Sequence, residues 1–192
     1  FVKESADADW KLDVDFGPGT SRVGVMESVN FEFDAEGHEI PNGPVAILVA
    51  FTLKLGRESS ALQARIRDDD AGTWLTVDLP PPRAIGPNVR CVALHRDRAT
   101  GGQFLFVGAS PAPLGIVNGA YAPEAPGKIR WFPEVELESV SGSQPGARGK
   151  WFGMASVDGK LFASSAQQIF RRIDGPTSRW IQVASFSRQD NI

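Results

Sequence analysis

Six side chains in this sequence could contact a ligand, and five of them are arginines in loops at one end of the predicted strands. A guanidinium fork matches the oxygens of carboxylates, sulfates and phosphates, so the pattern predicts a cationic surface for an anionic group. Solvated loop arginines are the alternative interpretation. The sixth is a tryptophan that could stack on a sugar or pack in the core. The predicted ligand-binding residues are Arg22, Arg57, Arg83, Arg90, Arg148 and Trp151.

The other reactive side chains offer no recognisable catalytic spacing. His38 and His95 are too few for a three-histidine zinc site and lack the HExxH spacing, so both are predicted to lie on surface hairpins. The acidic run at residues 68–70 reads as a solvated turn rather than a calcium loop. Cys91, within VRCVAL, is predicted to be a small buried apolar residue. No nucleophile elbow occurs, and no cofactor or metal site is predicted.

Composition favours a chain of short strands. Twenty glycines and fourteen prolines suit many tight turns and argue against a helical protein. A net charge of −3 argues against a protein built to bind nucleic acid. No apolar run is long enough for a membrane span, and the first residues do not resemble a signal peptide. Secreted and cytoplasmic locations therefore both stay open.

Tryptophan opens a strand four times, at Trp10, Trp74, Trp131 and Trp180, with intervals of roughly 50 to 65 residues. Short runs of β-branched and aromatic residues between them predict three more strands in each interval. Asp158 and Gly159 give a hairpin-turn signal between two of these runs. The run at residues 60–67 could pass for a helix, but its counterparts favour a strand. The predicted strands lie at 22–33, 45–55, 62–66, 89–95, 103–109, 116–121, 151–157, 160–164 and 169–173.

Four strands per interval predict an all-β fold, a β-propeller of about three four-stranded antiparallel blades. The blades span roughly 22–80, 88–137 and 149–187, and 9–16 forms the outer strand of a preceding blade, within one unit of 1–192. The recurring tryptophans are predicted to pack between blades. Because about four blades are the minimum for a closed ring, the remaining blades are expected from another segment or chain. A β-sandwich is the alternative fold.

The segment RIRDDDAGTW resembles a degenerate Asp-box, the hairpin turn of sialidase-like (BNR-like) propellers. Asp70, Gly72, Thr73 and Trp74 match the end of that motif, and RIDGPTSRW matches it more loosely. The resemblance implies a propeller in which the box is structural. It does not imply an activity, because such propellers include lectins, glycosidases and protein-docking scaffolds.

The expected function is a non-catalytic binding propeller that recognises a glycan or protein ligand, anionic in character, at its axial face. The opposite end of the sheets is expected to be more acidic, with Asp97, Asp158 and Asp174 among its residues. One alternative is a propeller hydrolase or lyase acting on carbohydrate, with part of its active site on blades outside this sequence. The other alternative is a structural interaction scaffold.

Overall fold

The computed structural model describes residues 5–12, 20–30, 45–55, 59–68, 73–78, 89–109, 116–122, 129–134 and 151–186. In this part of the chain the fold is all-β, with antiparallel four-stranded sheets and no helix. Each sheet is formed by four consecutive strands. The strands are β1 (Thr20–Asn30), β2 (Val45–Leu55), β3 (Ser59–Asp68), β4 (Thr73–Asp78), β5 (Val89–Arg96), β6 (Gln103–Ala109), β7 (Val117–Ala120), β8 (Trp131–Pro133), β9 (Trp151–Val157), β10 (Lys160–Ser165), β11 (Gln168–Ile173) and β12 (Arg179–Ser185).

The nine strands predicted between the tryptophans are confirmed within the described residues, and β2, β6 and β9 have the predicted bounds. The run at residues 60–67, whose sequence could pass for a helix, lies within strand β3. The two-residue turn between β9 and β10 is also confirmed. Asp158 and Gly159 have φ angles of 50° and 61°, the left-handed backbone that a type I′ hairpin turn requires at both central positions.

Three sheets follow one another along the chain: the N-terminal sheet (β1–β4), the central sheet (β5–β8) and the C-terminal sheet (β9–β12). Strand β5 lies beside β1 on one side and beside β9 on the other, and β6 also approaches β9. The first strands of the three sheets are therefore neighbours in space. Sheets that pack face to face in this way bury the apolar side chains between them.

The central sheet is covered on both faces, because consecutive residues of its inner strands are buried. Leu105, Phe106 and Val107 are each 0% exposed, and successive side chains of a strand point to opposite faces. In the C-terminal sheet burial alternates instead. Leu161 and Ala163 are buried, while Phe162 between them is half-buried. This sheet therefore has one covered and one open face.

The central and C-terminal sheets approach each other closely at Gly108 in β6. A β carbon there would lie 2.6 Å from Cys91 Sγ and 3.1 Å from Trp151 Cβ, so a side chain has no room. Trp151 meets the Phe170 ring edge-on, with 5.7 Å between the ring centroids. Cys91 is 1% exposed, which confirms its prediction as a small buried residue.

The recurring tryptophans do not share one environment. Trp180 is buried and Trp74 and Trp131 are half-buried, but Trp10 is 66% exposed. No sheet covers Trp10 within the described residues, and the packing predicted for it against a preceding blade stays a prediction. Of the strand predicted at 9–16, only Lys11 takes part in a bridge, and residues 13–16 lie outside the described part. No helix in the described residues is long and apolar enough to cross a membrane.

Candidate functional site

A cluster of charged and polar side chains lies between the central and C-terminal sheets, and we call it the polar cluster. The central sheet contributes residues from β5, from β7 and from the segments that follow β5 and β8. The C-terminal sheet contributes residues from β9, β11, β12 and the turn after β11. Its members are Asn118, His95, Asp97, Glu134, Ser156, Arg172, Asp174, Ser178 and Trp180.

Arg172 is the centre of the polar cluster and is only 7% exposed. Its Nη1 donates to Asp97 Oδ2 at 2.8 Å and to Asp174 Oδ1 at 2.6 Å, and its Nε lies 3.5 Å from Glu134 Oε1. Burial alone would lower the pKa of Arg172, but the charge of Glu134 and the two aspartates raise it above its usual value. The guanidinium also lies over the Phe106 ring at 5.3 Å. The cation is therefore held through Nη1, the nearby Glu134 carboxylate and the Phe106 ring, although its buried Nε has no hydrogen-bond partner among the described residues.

Asp97 ties the β5–β6 turn to the turn after β11. Its Oδ1 accepts the backbone N–H groups of Ala99 and Thr100 at 3.0 and 2.9 Å, which is how an aspartate shapes a turn. Its Oδ2 accepts the N–H of Gly175 at 3.2 Å as well as Arg172. Burial raises the pKa of Asp97, yet the hydrogen bonds from Arg172, Thr100 and Gly175 outweigh burial and hold it below its ordinary value.

His95 connects the two sheets through both ring nitrogens. Nδ1 lies 2.9 Å from Ser156 Oγ, and Nε2 lies 3.0 and 3.2 Å from the two carboxylate oxygens of Asp174. His95 is 0% exposed, so its prediction as a surface hairpin residue is wrong. The period-two alternation of β5 could have shown this, because Cys91, Ala93 and His95 share one face.

Asp174 is held by donors from both sheets. Besides His95 and Arg172, the backbone N–H of Arg98 donates to its Oδ2 at 2.9 Å. Burial acts to raise the pKa of Asp174, but the hydrogen bonds from His95 and from the Arg98 backbone, with the charge of Arg172, lower it overall. Asp174 is therefore an ionised acid whose charge is locally balanced.

Glu134 satisfies the opposite side of the polar cluster. It accepts Asn118 Nδ2 at 2.6 Å, Ser178 Oγ at 3.0 Å and the indole Nε1 of Trp180 at 2.9 Å. Glu134 is 2% exposed. Because a buried carboxylate is costly unless it is paired and hydrogen-bonded, these donors make its burial tolerable.

Ser156, His95 and Asp174 have the composition of a hydrolytic triad, but the arrangement does not suit catalysis. A triad histidine must exchange a proton with a substrate that reaches the serine. Here the ring is enclosed between two sheets, and its aspartate is shared with Arg172. The three residues act as a cross-link. Within the described ranges, no three His, Cys, Asp or Glu side chains are arranged to hold a metal ion.

An open cleft of about 390 Å³ adjoins the polar cluster, between the β5–β6 turn and the C-terminal sheet. Basic side chains outnumber acidic ones around this cleft. Asp97 and Asp174, which are expected at this end, are paired within the polar cluster. The charged residues that line the cleft are Arg98, Lys160, Arg171, Arg172 and Asp174.

The predicted ligand-binding residues are only partly within the described chain. Arg57, Arg83 and Arg148 lie outside it, and Arg22 lies in β1 rather than in a loop. Arg90 is exposed near the start of β5. Trp151 is 1% exposed, so of its two predicted roles the structure favours core packing over stacking on a sugar. Gly108 leaves the space that the indole fills.

No known protein family matches the sequence, and no curated protein is significantly similar to it. The tip of the Asp-box-like hairpin, residues 69–72, lies outside the described part of the chain. The resemblance to sialidase-like propellers therefore stays a prediction.

Proposed function

We propose that this chain is a portion of a β-propeller and serves as a non-catalytic binding module for a glycan or protein ligand. The position of β5 between β1 and β9 is the observation that carries the proposal. Sheets arranged about an axis bring their first strands together at the hub and stack their faces, as the central sheet does with its neighbours. In such a fold, ligands meet the loops at the ends of the strands.

The pairing of the polar cluster supports a non-catalytic role. Asp97, Glu134 and Asp174 each accept hydrogen bonds from several protein donors. A general acid or base needs an open position toward its substrate. Since these carboxylates are committed to holding two sheets together, we assign recognition and not bond cleavage to this part of the molecule.

The proposed ligand is an anionic glycan or protein group at the axial face, contacted by arginines from successive blades. The remaining blades, from another segment or chain, would complete the ring. A glycan-array screen of the full chain tests the ligand class. Replacing Arg22, Arg83 and Arg148 together by glutamine should abolish binding to anionic glycans. Unchanged binding by the triple variant would reject the axial face as the site.

A hydrolase is the alternative function, since Ser156, His95 and Asp174 have the composition of a hydrolytic triad although the His95 ring is enclosed. Hydrolysis of p-nitrophenyl esters by the full chain and by Ser156→Ala separates the two functions. Under the binding proposal neither protein exceeds the rate without protein, and Ser156→Ala only loses stability. A rate that disappears with Ser156→Ala would instead establish a serine nucleophile.

A further inference from the structure

We propose that the cleft beside the polar cluster is a binding site for a dianionic oxyanion, of the kind carried by a phosphate monoester. The site lies at the end of the sheets where the β5–β6 and β9–β10 turns meet. It is separate from the arginine-bearing loops proposed for the axial face. The inference therefore goes beyond the proposed function and does not depend on it.

The charges that line the cleft divide into a balanced pair and three further cations. Arg172 and Asp174 bind each other at 2.6 Å, and both have other partners in the polar cluster. Arg98, Lys160 and Arg171 remain. A charged group that nothing balances attracts a counter-ion most strongly where walls restrict the solvent around it.

Arg171 is the strongest indication of a ligand. Its neighbours in the register are Phe162 on β10 and Ile181 on β12, both apolar. Its Nε is buried without a hydrogen-bond partner among the described residues, and no described carboxylate forms an ion pair with it. Buried polar atoms are nearly always satisfied. An oxyanion in the cleft would supply the missing acceptor.

Arg98 and Lys160 add charge from opposite walls of the cleft. Arg98 is exposed on the β5–β6 turn, and its backbone is fixed by the N–H bond to Asp174. Lys160 lies at the start of β10, with Asp158 Oδ2 at 3.4 Å. Since Asp158 partly offsets Lys160, the net excess is close to two positive charges. A phosphate monoester, which carries nearly two negative charges at neutral pH, matches this excess.

The polar cluster explains how this site keeps its shape. Asp97 holds the β5–β6 turn, and Asp174 holds the backbone of Arg98 and the guanidinium of Arg172. The wall that carries Arg98 is thus attached to the sheet that carries Arg171. Because the backbone that carries Arg98 is fixed relative to Arg171, binding an anion between them costs less entropy than it would on a mobile turn.

The test is a calorimetric titration of the full chain at low ionic strength with glucose 6-phosphate, glucose 6-sulfate, inorganic phosphate and glucose. We expect glucose 6-phosphate to bind more tightly than the singly charged sulfate ester, and glucose not to bind. Inorganic phosphate distinguishes a free anion from an ester. Arg98→Gln and Arg171→Gln should each weaken glucose 6-phosphate binding by about 10- to 100-fold, the value of a hydrogen bond to a charged group.

Arg130→Gln is the matched control, because Arg130 is exposed, lies over Phe132 and is not part of the cleft. Arg130→Gln should bind glucose 6-phosphate as tightly as the unchanged protein does. No binding of either phosphate by the unchanged protein would overturn the site, and so would equal weakening by all three arginine variants. Binding lost only in the variant of Arg22, Arg83 and Arg148 would also overturn the cleft while supporting the axial face. Far-ultraviolet circular dichroism and melting curves confirm that each variant is folded.

Discussion

The central and C-terminal sheets have the same strand order but differ in how many of their faces are covered. In the central sheet, buried residues follow one another along β5 and β6, whereas in the C-terminal sheet buried and half-buried residues alternate. The central sheet has a neighbour on each side, and the described residues give the C-terminal sheet only one. The core of this molecule is therefore produced by sheet stacking and not by any one sheet.

The comparison also explains the position of the polar cluster. It lies in the interface between these two sheets, where donors from one can satisfy acceptors of the other. A buried charge needs such partners because desolvation is otherwise too costly. Stability in this region should therefore depend on residues that face the neighbouring sheet, and much less on residues of the open face.

The largest expected effect comes from a phenylalanine on a covered face. Phe106→Ala removes a 0% exposed ring and should lower the free energy of unfolding by about 4 kcal/mol. Phe162→Ala, its counterpart on the open face of the C-terminal sheet, should lower it by only about 1 kcal/mol, since the ring is already half in water. Urea unfolding of both variants measures the difference. Equal losses would mean that the two faces are equally buried.

Removing the cation of the polar cluster should have the next largest effect. Arg172→Leu leaves Asp97, Glu134 and Asp174 close together without their shared cation. Breaking a buried ion pair in this way typically lowers stability by about 3 kcal/mol or more. Arg179→Leu, at an exposed position in β12, is the matched control and should change stability by less than about 0.5 kcal/mol. A small effect of Arg172→Leu would show that the cluster is open to water.

Gly108→Ala should weaken the contact between the two sheets by about 2 kcal/mol, within the range for overpacked cores. The added methyl would overlap Cys91 Sγ and press on Trp151. This loss of stability exceeds the stabilisation of at most about 1 kcal/mol that alanine provides by restricting the unfolded chain. Thermal unfolding of Gly108→Ala and of Gly108→Ala with Cys91→Ala checks the cause. The second change should restore part of the lost stability, because it removes the atom that clashes.

The smallest expected effect is the change in stability that the protonation of Asp97 causes in acidic solution. The pKa of Asp97 is held below its ordinary value of 3.8 in the folded protein, so its contribution to stability is present above that value and disappears as the pH falls through the lowered pKa. Asp97→Asn should therefore lower stability near neutrality, and the gap to the unchanged protein should narrow between about pH 5 and about pH 2. Urea midpoints across this range measure it. A constant gap would contradict the depressed pKa.

The strands could be predicted from the sequence because their signals are local. Runs of β-branched and aromatic residues bounded by turn residues gave β2, β6 and β9 with correct bounds, and Asp158 with Gly159 gave the turn after β9. These features depend on residues that are neighbours in the chain. The up-and-down order within each sheet follows from short connections between antiparallel strands.

The polar cluster could not be predicted because its contacts join distant parts of the chain. The partners of His95 are 61 and 79 residues away and lie in another sheet. The alternation of β5 could place His95 on a buried face, but no pattern in the sequence predicts which residues it contacts. The sequence left two roles open for Trp151 for the same reason, since the space that receives it is left by Gly108 on a different sheet.

The single cysteine provides the most direct test of the stacked arrangement. Cys91 is 1% exposed, near Gly108 and Trp151, whereas Val157 at the end of β9 is 56% exposed. The measurement is the rate of thiol labelling with Ellman's reagent in native buffer, compared with Cys91→Ala carrying Val157→Cys. If the C-terminal sheet covers the central sheet, Cys91 should react only as fast as the protein opens, and the thiol at position 157 should react within seconds. Rapid labelling of Cys91 in the folded protein would contradict the stacking of these sheets.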